Sequence, residues 1–142
     1  MVKYKHILLA TDFSEGMPNV CAKAHELAKQ MGAKLSIIHV VEPLPGYGYA
    51  FIGSAEIEIQ LVEEAKKQVA ELSKEYKVSG KDQYVEIGPT KIEINRVAEE
   101  NGVDLIVVGS HGRHGLGALL GSTANAVIQS AQCDVLTVRI KE

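Results

Sequence analysis

Short apolar runs alternate with stretches of helical periodicity along the whole chain, and that order constrains the fold more than any other feature. The runs are Ile7 to Ala10, Lys34 to Val41, Tyr84 to Ile87, Leu105 to Val108 and Val135 to Ile140. Each is too short for an ordinary helix, and several are rich in β-branched residues, so they read as strands. Between them, apolar positions recur at helical spacing from Glu15 to Met31, with Pro18 near the first turn and Gly32 after the end. Ser54 can cap a long helix whose stripe is Ile57, Leu61, Ala65, Val69, Leu72 and Tyr76, with Glu63, Glu64, Lys66 and Lys67 on the wet side. Two further helices are expected from about Lys91 to Asn101 and from Ser122 to Ala131.

A βαβαβαβαβ pattern gives an α/β fold: a single-domain three-layer sandwich of 142 residues around a five-stranded parallel sheet. The expected strand order is 3-2-1-4-5. In that order the chain winds outward from strand one, then returns to place strand four on its other side. The loops that leave these two neighbours diverge to opposite faces and open a crevice at the carboxyl ends of the strands. Those loops begin at Asp12 and Gly109.

Charge and cysteine usage narrow the function classes. With 15 Lys plus Arg against 18 Asp plus Glu, the chain lacks the basic footprint that phosphate-backbone binding requires, so no nucleic-acid partner is expected. No apolar stretch approaches the ~20 residues of a membrane span, and the run before Asp12 is too short for a signal-peptide core. Cys21 and Cys133 form neither a close pair nor a metal-binding set, which suits a reducing, cytoplasmic compartment.

The stretch from Gly109 to Thr123 holds five glycines and ends at an expected helix start. Glycines let a backbone approach phosphate closely, and free amides at a helix N-terminus favour an anion. Ser122 and Thr123 can add hydroxyl donors, and Arg113 or a protonated His111 can offset phosphate charge. Neither a P-loop nor a GxGxxG turn is present. Two readings therefore stand: an anion site at the switch point, or a surface loop whose glycines serve tight turns. Asp12 likewise reads either as a ligand contact or as the N-cap of the first helix, with Glu15 three residues on.

The segments LLATDFSE, HVVEP, DLIVVGSHGRHG, GSTANAVI and VLTVRI together resemble the universal stress protein A family over essentially the whole chain. The nucleotide-binding members resemble G-x2-G-x9-G-[ST], and Gly109, Gly112, Gly121 and Ser122 supply its fixed positions, with eight rather than nine residues between Gly112 and Gly121. The resemblance implies one nucleotide-binding domain over residues 1–142. Asp12, with Ala10 and Thr11 before it, would meet the adenosine end, and Val40 would present backbone groups to adenine. Gly109, Gly112, Gly121, Ser122 and Thr123 would line ribose and phosphates, flanked by His111 and Arg113. Ala10 stands where some members have proline. The ligand implied is ATP, or AMP or ADP, with Mg2+ as its companion ion.

No catalytic residue is assigned, because neither a general base nor a Walker acid is evident, and hydrolysis would be slow at most. No metal-ligand set is assigned either: His111 and His114 lack further ligands. His39 reads as a hydrogen-bonded core or rim residue, and Tyr47, Tyr49 and Phe51 as a ligand cover or a small satellite cluster. The run Val135 to Ile140 should form a sheet edge open to pairing with a second copy, unless Arg139 and Lys141 protect it. The family resemblance implies an antiparallel homodimer there. The function expected is a stress-response protein that switches with bound adenine nucleotide; the alternative is a dimeric interaction module without nucleotide affinity.

Overall fold

Period-two alternation sends neighbouring residues of each strand to opposite faces of the sheet, and here both faces are apolar, so both must be covered. The computed structural model describes residues 3–42, 54–110 and 121–140. Its elements are β1 (His6–Ala10), α1 (Met17–Met31), β2 (Lys34–Val41), α2 (Ser54–Glu75), a 3-10 turn (Gly80–Asp82), β3 (Gln83–Ile87), α3 (Thr90–Glu100), β4 (Leu105–Gly109), α4 (Ser122–Ser130) and β5 (Asp134–Val138). The five strands are parallel and ordered β3-β2-β1-β4-β5, as expected from the alternation.

One face of β1 turns Ile7 and Leu9 toward α1 and α2, where Val20, Cys21, Ala24 and Val69 complete a core with Ile37 and Val107. The other face turns Leu8 toward α3 and α4, against Ile38, Ile94, Val97, Ile106 and Val127. Leu9 stands in register with Ile37 on one side and Val107 on the other. All three are fully buried, and burial of such a side chain stabilises the fold by about 1.5–3 kcal/mol. This central row fixes the register, since a one-residue slip would exchange the two faces.

The amino ends of the strands carry a polar knot. The His6 ring donates from Nδ1 to the Asn101 carbonyl at 3.1 Å, so Nε2 accepts from the Ser36 hydroxyl at 2.7 Å. The Asp104 carboxylate accepts from the backbone N–H groups of Lys5 and His6, both at 2.9 Å. Burial alone would raise the Asp104 pKa, yet those N–H donors hold it below the usual value.

Several boundaries differ from the sequence expectation by a residue or two, and three of the differences have a visible cause or consequence. α1 starts at Met17 rather than Glu15, with Gly16 at its N-cap position and Pro18 in its first turn. A 3-10 turn precedes β3, which begins one residue early at Gln83. β5 stops at Val138, because the Ile140 N–H is taken by the Ser110 hydroxyl at 2.8 Å and leaves the ladder. Tyr47, Tyr49, Phe51 and Lys141 lie outside the described residues.

Candidate functional site

β1 and β4 are adjacent parallel strands, paired from Ile7 with Leu105 to Leu9 with Val107, yet they feed helices on opposite faces. β1 leads into α1 and β4 leads toward α4. α1 and α4 thus lie on opposite faces beyond the carboxyl ends of two neighbouring strands, the place where ligands of open α/β sheets bind.

The β1 side is built by local hydrogen bonds. The Thr11 N–H extends the ladder to the Ile38 carbonyl at 3.0 Å. Its hydroxyl accepts from the Phe13 N–H at 3.1 Å, and Asp12 Oδ1 accepts from the Ser14 N–H at 2.9 Å. Asp12 therefore closes a tight turn of its own rather than capping α1, which begins five residues later; that overturns the N-cap reading. The turn holds Phe13 at φ 58, a left-handed conformation that a bulky residue seldom adopts and that recurs at ligand sites. The Phe13 ring lies 4.6 Å from that of His39. His39 in turn donates from Nδ1 to the Thr11 carbonyl at 2.7 Å, as suits a rim residue that braces the loop.

Val40 lies two residues beyond Ile38, the last β2 residue paired with β1, and it remains paired with Glu86 of β3. Its side chain is buried in the core beneath α3 and α4, which leaves backbone as the part of Val40 available to a ligand.

The β4 side is tied together by Ser110. Its N–H donates to the Val138 carbonyl at 2.8 Å, its hydroxyl accepts from the Ile140 N–H, and its carbonyl accepts from the Gly121 N–H. Gly121 stands at the N-cap of α4 in extended conformation (φ −61, ψ 153) without a side-chain cap. The amides of the first turn of α4 thus begin beside the end of β4, next to Ser122 and Thr123. His111, Gly112 and Arg113 lie outside the described residues.

Gly109 has a second reason to be glycine. A Cβ built there would meet Ile140 Cδ1 at 2.6 Å, and one built on Gly16 would collide with Ile140 Cγ2. The sequence reads Gly109 as a phosphate or turn glycine and Ile140 as the end of an edge strand, and it assigns neither of them, nor Gly16, to this contact. The available signal was a glycine at 16, where a capping side chain is the usual choice before Pro18.

At the opposite end of the sheet, a hollow of about 380 Å3 is lined by Lys29, Lys34 and Lys77 with Tyr76 and Asp82. Lys29 stands in the last turn of α1 and Lys77 just beyond α2, where cations complement helix carboxyl ends.

Residues 3–139 match the family model described as the universal stress protein family. The chain belongs to that family. Universal stress protein A homolog 2 of Coxiella burnetii is 48% identical, and the alignment covers 99% of each chain. The solved structure of hypothetical protein MJ0577 superposes with a TM-score of 0.86 at 31% identity, covering 99% of both chains. A universal stress protein solved in complex with cAMP superposes with a TM-score of 0.63 at 26% identity, covering 96% of this chain and 98% of that one. In this universal stress protein both cysteines are free thiols; burial, aided by Glu75, pushes Cys21 up to about 11, and burial also raises Cys133. Neither has the acidic thiol of a redox sensor. Among the described residues, no helix is long and apolar enough to cross a membrane.

Proposed function

We propose that this universal stress protein binds an adenine nucleotide, ATP foremost and AMP or ADP as alternatives, in the crevice between β1 and β4, and changes shape or partners with occupancy. The observation that carries this reading is the divergence of α1 and α4 from adjacent strands, with the uncapped start of α4 beside the end of β4. The family relative in complex with cAMP supports an adenine nucleotide as the ligand class. In this reading Ala10, Thr11 and Asp12 face the adenosine end and the Val40 backbone faces adenine. Gly109, Gly121, Ser122 and Thr123 then serve ribose and phosphates, together with His111, Gly112 and Arg113. Mg2+ would arrive with the phosphates and take most of its ligands from water. The compartment is cytoplasmic, in keeping with two free thiols.

Isothermal titration of the purified protein with Mg-ATP tests the proposal. Saturable heat below millimolar nucleotide is expected, and its absence at millimolar ATP overturns it. The exposed edge strand β5, where Leu136 is 38% exposed, is proposed to pair with a second copy. Light scattering at micromolar concentration should give twice the 15.3 kDa subunit mass. A persistent dimer with no nucleotide heat would instead favour an interaction module.

A further inference from the structure

The segment that leaves β5 threads into the base of the crevice and touches both of its sides. Gly16 belongs to the connection between β1 and α1, and Gly109 ends β4. The Ile140 side chain occupies the space that a Cβ on either residue would need. It packs there against the core that contains Met17 and Val20. Through its backbone, Ile140 donates to Ser110, whose carbonyl receives the Gly121 N–H at the start of α4. One residue therefore meets the β1 loop and the end of β4 directly, and reaches the beginning of α4 through a single intermediary.

We infer that Ile140 is a positioning residue of the nucleotide crevice: it wedges between Gly16 and Gly109 and, by way of Ser110, sets where α4 begins relative to the Asp12 turn. This rests on the adenine-nucleotide reading above. The two loops are joined by no strand pairing beyond Leu9 and Val107. Their separation at the crevice is then fixed by what packs between them, and packed interiors transmit such displacements rather than absorbing them. Ile140 does not touch the nucleotide; it acts through the groups that do.

The test combines Mg-ATP titration with amide exchange of nucleotide-free protein, using wild type, Ile140→Ala, Ile140→Val, Gly16→Ala and Gly16→Ala/Ile140→Ala, with circular dichroism to verify folding. Ile140→Ala should weaken ATP by about tenfold, since small misplacements of binding groups are costly, and should speed exchange of the Gly121 amide. Ile140→Val retains the branched Cβ and should stay within about twofold of wild type. Gly16→Ala expels Ile140 from its notch and should reproduce the loss, while the double variant should be no weaker than Ile140→Ala alone, the signature of a shared contact. Wild-type protein silent toward ATP overturns the nucleotide reading itself. Wild-type binding matched by Ile140→Ala, or fully additive losses in the double variant, overturns the role of Ile140 and leaves the nucleotide reading standing.

Discussion

The pair formed by His6 and Ser36 yields a prediction with a magnitude and a pH signature. Ser36 is fully buried and His6 is 5% exposed, so neither has water to replace a lost partner. A carbonyl can only accept, hence the ring nitrogen facing Asn101 carries the proton and Nε2 depends on the Ser36 hydroxyl. Ser36→Ala strands that nitrogen, at a cost of about 1–3 kcal/mol. An unfolding entropy near 2.1 cal/mol/K per residue amounts to roughly 0.3 kcal/mol/K for a chain of this size, so a loss of about 2 kcal/mol lowers Tm by about 7 °C. Burial foremost, and the charge of Lys34, depress the His6 pKa below its ordinary 6.5, against the opposing pull of the Asn101 carbonyl, Asp82 and Asp104. As pH falls below 6.5 the unfolded chain takes up a proton that the folded chain refuses. Stability from this residue is therefore full above that pH and declines beneath it. Urea titrations between pH 5 and 8 should show that decline in wild type and a flatter profile in His6→Leu. Ser36→Ala should keep the decline, because the ring stays buried and burial is the foremost cause of its depressed pKa. A Ser36→Ala protein that melts with wild type, or a His6→Leu protein that keeps the wild-type pH slope, would refute the reasoning.

Three other outcomes are expected. The buried Ser73 hydroxyl has no hydrogen-bond partner among the described residues, so Ser73→Ala should raise stability by about 1 kcal/mol in thermal unfolding; a lower Tm would contradict this. Cys21, with its thiol pushed up to about 11, should alkylate with iodoacetamide at pH 8 many-fold more slowly in native protein than in urea, and equal rates would count against its burial. Gly121 adopts dihedrals open to valine, so Gly121→Val should fold normally and weaken ATP by about tenfold, seen by calorimetry; unchanged affinity would move the phosphates away from the start of α4.

The sheet was legible because each strand carries its burial in its own residues. Leu105 to Val108 could only be a strand covered on both faces, and the order of elements then implied 3-2-1-4-5. Helix starts were harder to read. Glu15 and Asp12 imitate a capping pattern, but the chain spends Asp12 on a turn that holds Phe13 left-handed, and α1 begins after Gly16. The end of β5 was misjudged because apolar periodicity runs on through Ile140, whereas a hydroxyl thirty residues earlier decides where the ladder stops. The switch point was legible in the order of elements: of the residues proposed for the ligand, Ala10 ends β1 with Thr11 and Asp12 after it, Val40 lies in β2, Gly109 ends β4, and Gly121, Ser122 and Thr123 stand at the start of α4. The wedge of Ile140 against Gly16 and Gly109 was not, because three segments distant in sequence share it and no local pattern announces such a meeting.

The central place of β1 also bears on how the chain emerges during synthesis. β2 follows it closely and shields one flank early, but β4, which covers the other, is complete only at Gly109. At about 5–20 residues per second, roughly a hundred further residues take on the order of 5–20 s to appear. Throughout that interval the nascent chain offers an edge of unpaired backbone N–H and C=O groups, on a strand of apolar side chains, to whatever is near the ribosome exit. A holding chaperone at that stage would guard the very strand around which the finished molecule is organised.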